Sequence, residues 1–467
     1  MSPSAADRGA ATRLPGIDPW QTAPFWAILA LALLFGGASR AGSMAQIVVR
    51  LGAVLILGWA VLADHGHSRS WRGWPLPFRL LALLGGWMAL QLVPLPPALW
   101  QLQPGAAPYA AALEAAGLSG TWHGLSLSPD LTLNSLFALL PLLVLGTVAS
   151  GLRLRELRTG LAIVFAAAAL SVLIEVGQLA GAMPPLHRVS NPGSDAGLFA
   201  NRNHHAALLC CTLPLLGAWA SGASRRSPRP WIALGCGLLV LPLVLATGSR
   251  GGLMMAVLAG VAGLAIGLTG RRRRSLGRPF WLGLAGAAAA VAALTSIVLL
   301  SGRDRAIGRL LASGDGSEIR FQVLGTLTRI VRDFLWAGAG FGTFDPIFRG
   351  YEPQWALKPT YLNHAHNDLI ELAMEGGLPA LALLVAFLVW AARRSVMAWR
   401  KDHALPRAAS MVLGILLVWS LFDYPLRTPA LGVLAGWCVL LLAGDWDEEA
   451  ASNRSRPTAL GKQGAFT

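Results

Sequence analysis

The sequence predicts an all-α, polytopic integral membrane protein of about 12 transmembrane helices, with one large outer loop that contains an amphipathic helix. Three observations lead there. Of the 467 residues, 54% are hydrophobic and only 13% are charged. Soluble domains carry about a quarter charged residues, so most of this chain cannot face water. Apolar runs recur near 24–38, 43–63, 78–93, 132–149, 159–180, 204–221, 231–247, 251–269, 280–300, 367–392, 408–422 and 428–444, and about 20 such residues cross a bilayer as a helix. Basic residues fill every second connection between those runs, which is the positive-inside pattern.

Taken in order, residues 1–23 read as a cytoplasmic N-terminal tail. They hold no apolar core, so no cleavable signal peptide is expected, and the first apolar run serves as the insertion signal. Residues 24–300 hold transmembrane helices one to nine, 301–366 the large outer loop, 367–444 helices ten to twelve, and 445–467 a cytoplasmic tail. With the N-terminus inside, the inner loops hold Arg69 and Arg72; Arg153, Arg155 and Arg158; Arg225, Arg226 and Arg229; Arg271 to Arg274 with Arg278; and Arg393, Arg394, Arg400, Lys401 and Arg407. The outer loop 94–131 contains no Lys or Arg. The net charge of +15 is thus spread over short clusters and forms no contiguous stripe, which argues against a nucleic-acid partner. Cys210, Cys211, Cys236 and Cys438 all lie inside apolar runs, a placement that suits packing and gives neither a disulfide framework nor a metal-ligand spacing.

The 301–366 loop is too long for a plain connector. In it Ile319, Val323, Leu324, Leu327, Ile330, Val331, Phe334 and Leu335 recur at helical spacing, with Arg320, Arg329, Arg332 and Asp333 among them. This predicts an amphipathic helix that lies on the membrane surface or caps the bundle. Gly338, Gly340 and Gly342 follow, a strip that must bend or approach something closely.

Four places on the outer side carry polar groups. Phe199-Ala200-Asn201-Arg202-Asn203-His204-His205 opens the sixth span and reads equally as a helix cap, because Asn is a strong N-cap residue. Thr247-Gly248-Ser249-Arg250-Gly251-Gly252 joins two runs with hardly a residue to spare. A snorkelling Arg is the structural reading there, but an ionisable residue at that depth is a functional candidate. Arg320 heads the amphipathic helix, whereas Arg329 and Arg332 read as solvated charges. The fourth place, from Asn363 to Pro379, packs His364, His366, Asn367, Asp368, Glu371 and Glu375 at the mouth of the tenth span. Treated as helical, His364 and His366 point about 200° apart and cannot chelate one ion, and no third ligand stands at a zinc spacing. Acid–base work by one His, oriented by Asn367 or Asp368, is the reading that fits.

Together these segments resemble the O-antigen ligase and O-antigen polymerase family. The motif is His366-Asn367, nine residues, Gly377, Leu378-Pro379 and Ala380, whose last position departs from the family's Gly, Thr or Tyr. Ser249-Arg250 matches an Arg that opens a span, and Arg320 stands ahead of Gly338-Ala339-Gly340-Phe341-Gly342-Thr343-Phe344. The likeness covers roughly 190–390, with a further Ser126-Leu127-Ser128-Pro129 stretch. It implies a metal-independent glycosyltransferase of the bacterial inner membrane with its site in the periplasm, so that 301–366 is a periplasmic loop. The donor it implies is a glycan on a polyprenyl diphosphate, and the acceptor is a hydroxyl on lipid A core or a growing glycan, with no cofactor. His366 would be the base, Arg250 and Arg320 would hold the diphosphate, and Arg202, Asn203, His364, Asn367, Asp368, Gly340 and Gly342 would bind substrate. Membrane lipids are the other partner. A transporter or flippase of lipid-linked oligosaccharide, a protein O-oligosaccharyltransferase and a noncatalytic scaffold are the competing readings.

Overall fold

The computed structural model describes residues 18–40, 42–63, 73–187, 195–224, 227–269, 285–286, 289, 322–357, 362–401, 403–444 and 446. Arg320, nearly all of the ninth apolar run and both expected tails apart from residues 18–23 and Trp446 lie outside them. The described residues are helical, and their one β pairing is an isolated bridge between Leu95 and His123.

The longer helices are α1 (Pro19–Phe35), α2 (Met44–Ala63), α3 (Leu76–Gln91), α4 (Ala107–Ala115), α5 (Pro129–Ala138), α6 (Leu140–Ala149), α7 (Gly160–Leu179), α8 (Arg202–Ser221), α9 (Arg229–Thr247), α10 (Arg250–Thr269), α11 (Leu324–Phe334), α12 (Phe344–Tyr351), α13 (Asp368–Arg400), α14 (Ala404–Trp419) and α15 (Pro429–Ala443). Among the described residues six segments are long and apolar enough to cross a membrane, counting α5 with α6 as Pro129–Ala149 and joining α7 to the preceding turn as Leu154–Leu179. Shorter apolar helices are α1, α3, α14 and α15.

One core joins α1, α6, α7, α8, α14 and α15, with Phe25, Leu145, Leu208, Leu416 and Trp437 fully buried or nearly so. Apolar burial does not drive helix association inside lipid, so close backbone approach matters there. Packing of α8 on α10 meets this requirement: a Cβ on Gly217 would strike the backbone of Gly263, and one on Gly263 would strike Leu213.

The bundle is polarised. The starts of α8 and α13 and the connection 420–428 between α14 and α15 meet at one end, where Asp368 N–H donates to Ser420 O (2.8 Å) and Ala430 N–H to Gly36 O (3.1 Å). The opposite end is basic: Arg394 Nη2 donates to Gly444 O just past α15 (2.8 Å), and Arg407 Nη2 to Trp399 O (2.7 Å). Cations there complement the negative C-terminal ends of helices.

A second cluster covers the first end. α11 buries Leu327, Ile330 and Phe334 against Phe344, Ile347, Phe348 and Met374, each contributing about 1.5–3 kcal/mol relative to exposure. Arg329 and Arg332 face solvent. Of the two placements open to the amphipathic helix, the cap on the bundle is the one adopted, against α13.

Candidate functional site

The site grows from a break in α13. Gly377 leaves the helical region (φ 62°, ψ −158°), a conformation open to glycine, and a Cβ there would strike Gly338 and Leu335. The break frees carbonyls, and neighbours satisfy them: Trp87 Nε1 donates to Gly376 O (2.8 Å) and Gln91 Nε2 to Glu375 O (2.9 Å). The glycine strip packs alongside. Ala339 N–H donates to Met374 O (2.9 Å), and Gly340 N–H to Glu375 O (3.1 Å). Gly340 and Gly342 have φ of 101° and 79° and press against Ser126, Thr132 and Ser135. Their lack of a side chain is therefore required by packing. Ala380, where the motif departs, is buried beside Phe341 and Met88.

The helix does not extend back through the histidines. Asn367 caps it, its side chain accepting from Ile370 N–H (3.0 Å), so His364 and His366 precede α13 in irregular backbone. The opposed directions expected of a helical pair therefore do not apply. Both imidazoles lie against Tyr424, with ring centroids 4.1 Å and 5.0 Å away, and His204 meets the same ring at 5.0 Å. Among the described residues, His366 is the one non-glycine with positive φ, at 51°. Strained backbone of this kind persists where the surroundings fix it and gathers at functional sites.

The partner that orients His366 is Asp423, not Asn367 or Asp368. His366 Nδ1 stands 3.2 Å from Asp423 Oδ1. Asp423 is 1% exposed and also accepts from Asn203 Nδ2 (2.6 Å) and Tyr424 N–H (3.0 Å). His204 Nε2 stands 3.7 Å from Asp423 Oδ1, farther than a hydrogen bond. Burial alone would raise the Asp423 carboxyl, but the imidazoles of His204 and His366 outweigh it and hold the group well below the usual carboxylate range. An ionised carboxylate only accepts, so Nδ1 of His366 carries the proton and Nε2 is the basic nitrogen of the ring. That is the tautomer a general base needs.

Beside this pair lies a buried charge cluster. Arg427 reaches Asp368 Oδ1 (3.2 Å), Glu371 Oε1 (3.1 Å) and Glu375 Oε2 (3.1 Å). His364 Nδ1 lies 2.7 Å from Glu371 Oε1, and Ala365 N–H donates to Glu371 Oε2 at 2.9 Å. Burial opposes the Arg427 charge, but Glu371, Glu375 and Asp368 raise its pKa above the ordinary guanidinium value. Asp368 and His364 thus belong to the scaffold that fixes this end of α13. Among the described residues no group of three or more His, Cys, Asp or Glu is arranged to hold a metal ion.

The other expected residues fall at the same end. Asn201 caps α8 by accepting from Asn203 N–H (2.9 Å), so the capping reading holds, while Asn203 itself reaches Asp423. Arg202 is half-buried at the first position of α8. Arg250 opens α10 and is exposed. The turn before it uses the left-handed Gly248 (φ 67°), and Ser249 Oγ accepts from Gly252 N–H (3.1 Å). Gly252 packs on Ala206 of α8, which sets Arg250 beside the start of that helix.

Sequence reasoning passed over Asp423, Tyr424 and Arg427. A signal for them existed: Asp423 and Arg427 are the only charged residues between 408 and 444. No curated protein matches the chain. Residues 234–385, which hold Arg250, the glycine strip, His364 and His366, match the family model described as O-antigen ligase.

Proposed function

We propose that the protein is a membrane glycosyltransferase of the O-antigen ligase or surface-polysaccharide polymerase type. It moves a glycan from a polyprenyl diphosphate to an acceptor hydroxyl on the periplasmic face of the inner membrane, within a bundle of about 12 spans. The observation that carries this reading is the His366–Asp423 pair, 3.2 Å apart, in a chain whose residues 234–385 match the O-antigen ligase family.

In the proposed step the acceptor O–H gives its proton to Nε2 of His366 as the oxygen attacks the anomeric carbon. The bond from that carbon to the diphosphate oxygen breaks, and the diphosphate leaves with the electron pair. Asp423 holds the imidazole and balances the imidazolium that forms. Arg250 and Arg320 meet the growing negative charge, since a guanidinium fork fits phosphate oxygens and no metal ion is then needed. The N-termini of α8 and α10, where the helix dipoles are positive, favour the same anion.

A transporter of lipid-linked oligosaccharide would place its polar groups near the bilayer midplane, whereas here they gather at one end of the bundle. The test is transfer by purified protein from a lipid-linked glycan to an acceptor. Loss in His366→Ala at equal abundance is expected. Transfer at the wild-type rate by that variant would remove His366 from the chemistry.

A further inference from the structure

A small cavity in the 94–131 segment plays no part in the step above. It measures about 200 Å³ and is lined by Trp100, Tyr109, Ala112, Leu113, His123 and Leu127. This is below the roughly 300–1,000 Å³ of sites for drug-sized ligands, so it admits a single ring. Trp100 is buried, with 2% exposed, whereas Ala112 is exposed at the rim and Tyr109, Leu113, His123 and Leu127 are half-buried.

The lining carries polar atoms on Trp100, Tyr109 and His123. Trp100 Nε1 is buried without a hydrogen-bond partner among the described residues, an arrangement that costs free energy unless something accepts from it. His123 Nδ1 lies 3.1 Å from Gly124 O; a carbonyl only accepts, so Nδ1 donates and Nε2 is an acceptor. Burial raises the Tyr109 phenol above its usual value, so its O–H stays a donor. An aromatic lining that also carries the Tyr109 O–H and the His123 ring nitrogens matches a pyranose, which has an apolar C–H face and hydroxyls that both donate and accept. An acyl chain would leave the Tyr109 O–H and His123 Nε2 without partners.

The cavity is tied firmly to the site end. His123 and Leu95 exchange backbone hydrogen bonds of 2.9 and 3.0 Å, and Leu127 N–H donates to Ala339 O at 2.9 Å. Gln103 Nε2 donates to Gly338 O at 3.1 Å. Tyr109 and Leu127 also pack on the cluster that includes Ala365 and Ile370, which flank His364, His366 and Asn367 in the chain. We infer that the Trp100–Tyr109–His123 cavity is a subsite for one sugar residue of the glycan, held away from the reacting carbon; as a subsite it rests on the transferase reading.

The test uses the full-length protein in detergent. Saturation-transfer NMR with methyl glycosides of glucose, galactose, N-acetylglucosamine, N-acetylgalactosamine and rhamnose should give a signal for at least one. Tyr109→Ala and His123→Ala should each abolish it while His366→Ala retains it, all three running as monodisperse protein. In the transfer assay the two cavity variants should raise KM at least fivefold and change kcat less than KM. A sugar signal that survives both variants, no signal with any glycoside, or unaltered KM in a transferring enzyme would each overturn the subsite. Loss of the sugar signal in the variants, with no transfer by wild type, would support the cavity and count against the transferase reading alone.

Discussion

Replacing Asp423 by Asn keeps the shape of the side chain and removes its charge. The wild-type carboxylate accepts from Asn203 Nδ2 (2.6 Å), Tyr424 N–H (3.0 Å) and His366 Nδ1 (3.2 Å). An amide has one oxygen and one NH₂, so a donor must now face either Asn203 or His366, both of which donate in the wild type. Loss of one charge-assisted hydrogen bond costs about 1.5–3 kcal/mol, which lowers kcat about 10- to 150-fold. With the NH₂ toward His366, the imidazole moves its proton to Nε2 and cannot act as base. The loss then approaches the about 10²–10⁴-fold that a positioned base contributes. The assay is single-turnover transfer in detergent with wild-type and Asp423→Asn protein at matched amounts, with donor affinity measured separately. Unaltered donor affinity with a kcat drop of at least about tenfold is expected. A kcat close to the wild-type value would show that the carboxylate does not set the imidazole, and the reasoning would fail.

Other consequences follow from the same contacts. Asp423 has a folded pKa below its unfolded value of about 3.9, so the stability it gives is complete above that pH and is lost as pH falls through the folded value. A loss of transfer as pH falls from about 7 to 5 is expected from protonation of the imidazole base, and a pH–rate profile flat down to pH 5 would contradict the base assignment. Arg427→Ala leaves Glu371 and Glu375, both 0% exposed, without their cation. It should cost about 3–5 kcal/mol, read as a fall in the detergent melting temperature; no fall would show the cluster to be dispensable. A reporter fused after residue 275 should behave as cytoplasmic and one near residue 355 as periplasmic, and finding both on one side would overturn the proposed topology. Arg250→Ala should abolish transfer with Arg250→Lys rescuing poorly, because a point charge loses the bidentate fork; full activity in the Ala variant would take Arg250 out of the site.

The helices were legible because membrane solvent imposes a simple rule: long apolar runs must be helical. Period alone also exposed α11, whose buried Leu327, Ile330 and Phe334 lie at the spacing read from the sequence. The site was only half legible. His366 and Asn203 could be singled out because polar groups at a span mouth are costly, but their common partner Asp423 lies 57 residues from His366. No local pattern joins positions that far apart. The geometry of the His-x-His pair was misjudged for a local reason: Asn367 caps α13, so the helix starts one residue beyond it. The glycine strip read as one that must bend or approach something closely, and Gly340 and Gly342 pack closely against Ser126, Thr132 and Ser135.

The central claim is that His366, set by Asp423, removes the acceptor proton without help from a metal ion. The most direct measurement is glycan transfer by purified protein from polyprenyl diphosphate donor to acceptor in excess EDTA, comparing wild type with His366→Ala and His364→Ala. Full wild-type transfer is expected under chelation, with a loss of about 10²–10⁴-fold in His366→Ala and a smaller loss in His364→Ala. Transfer that stops with EDTA and returns with added cation, or that survives His366→Ala intact, would contradict the account.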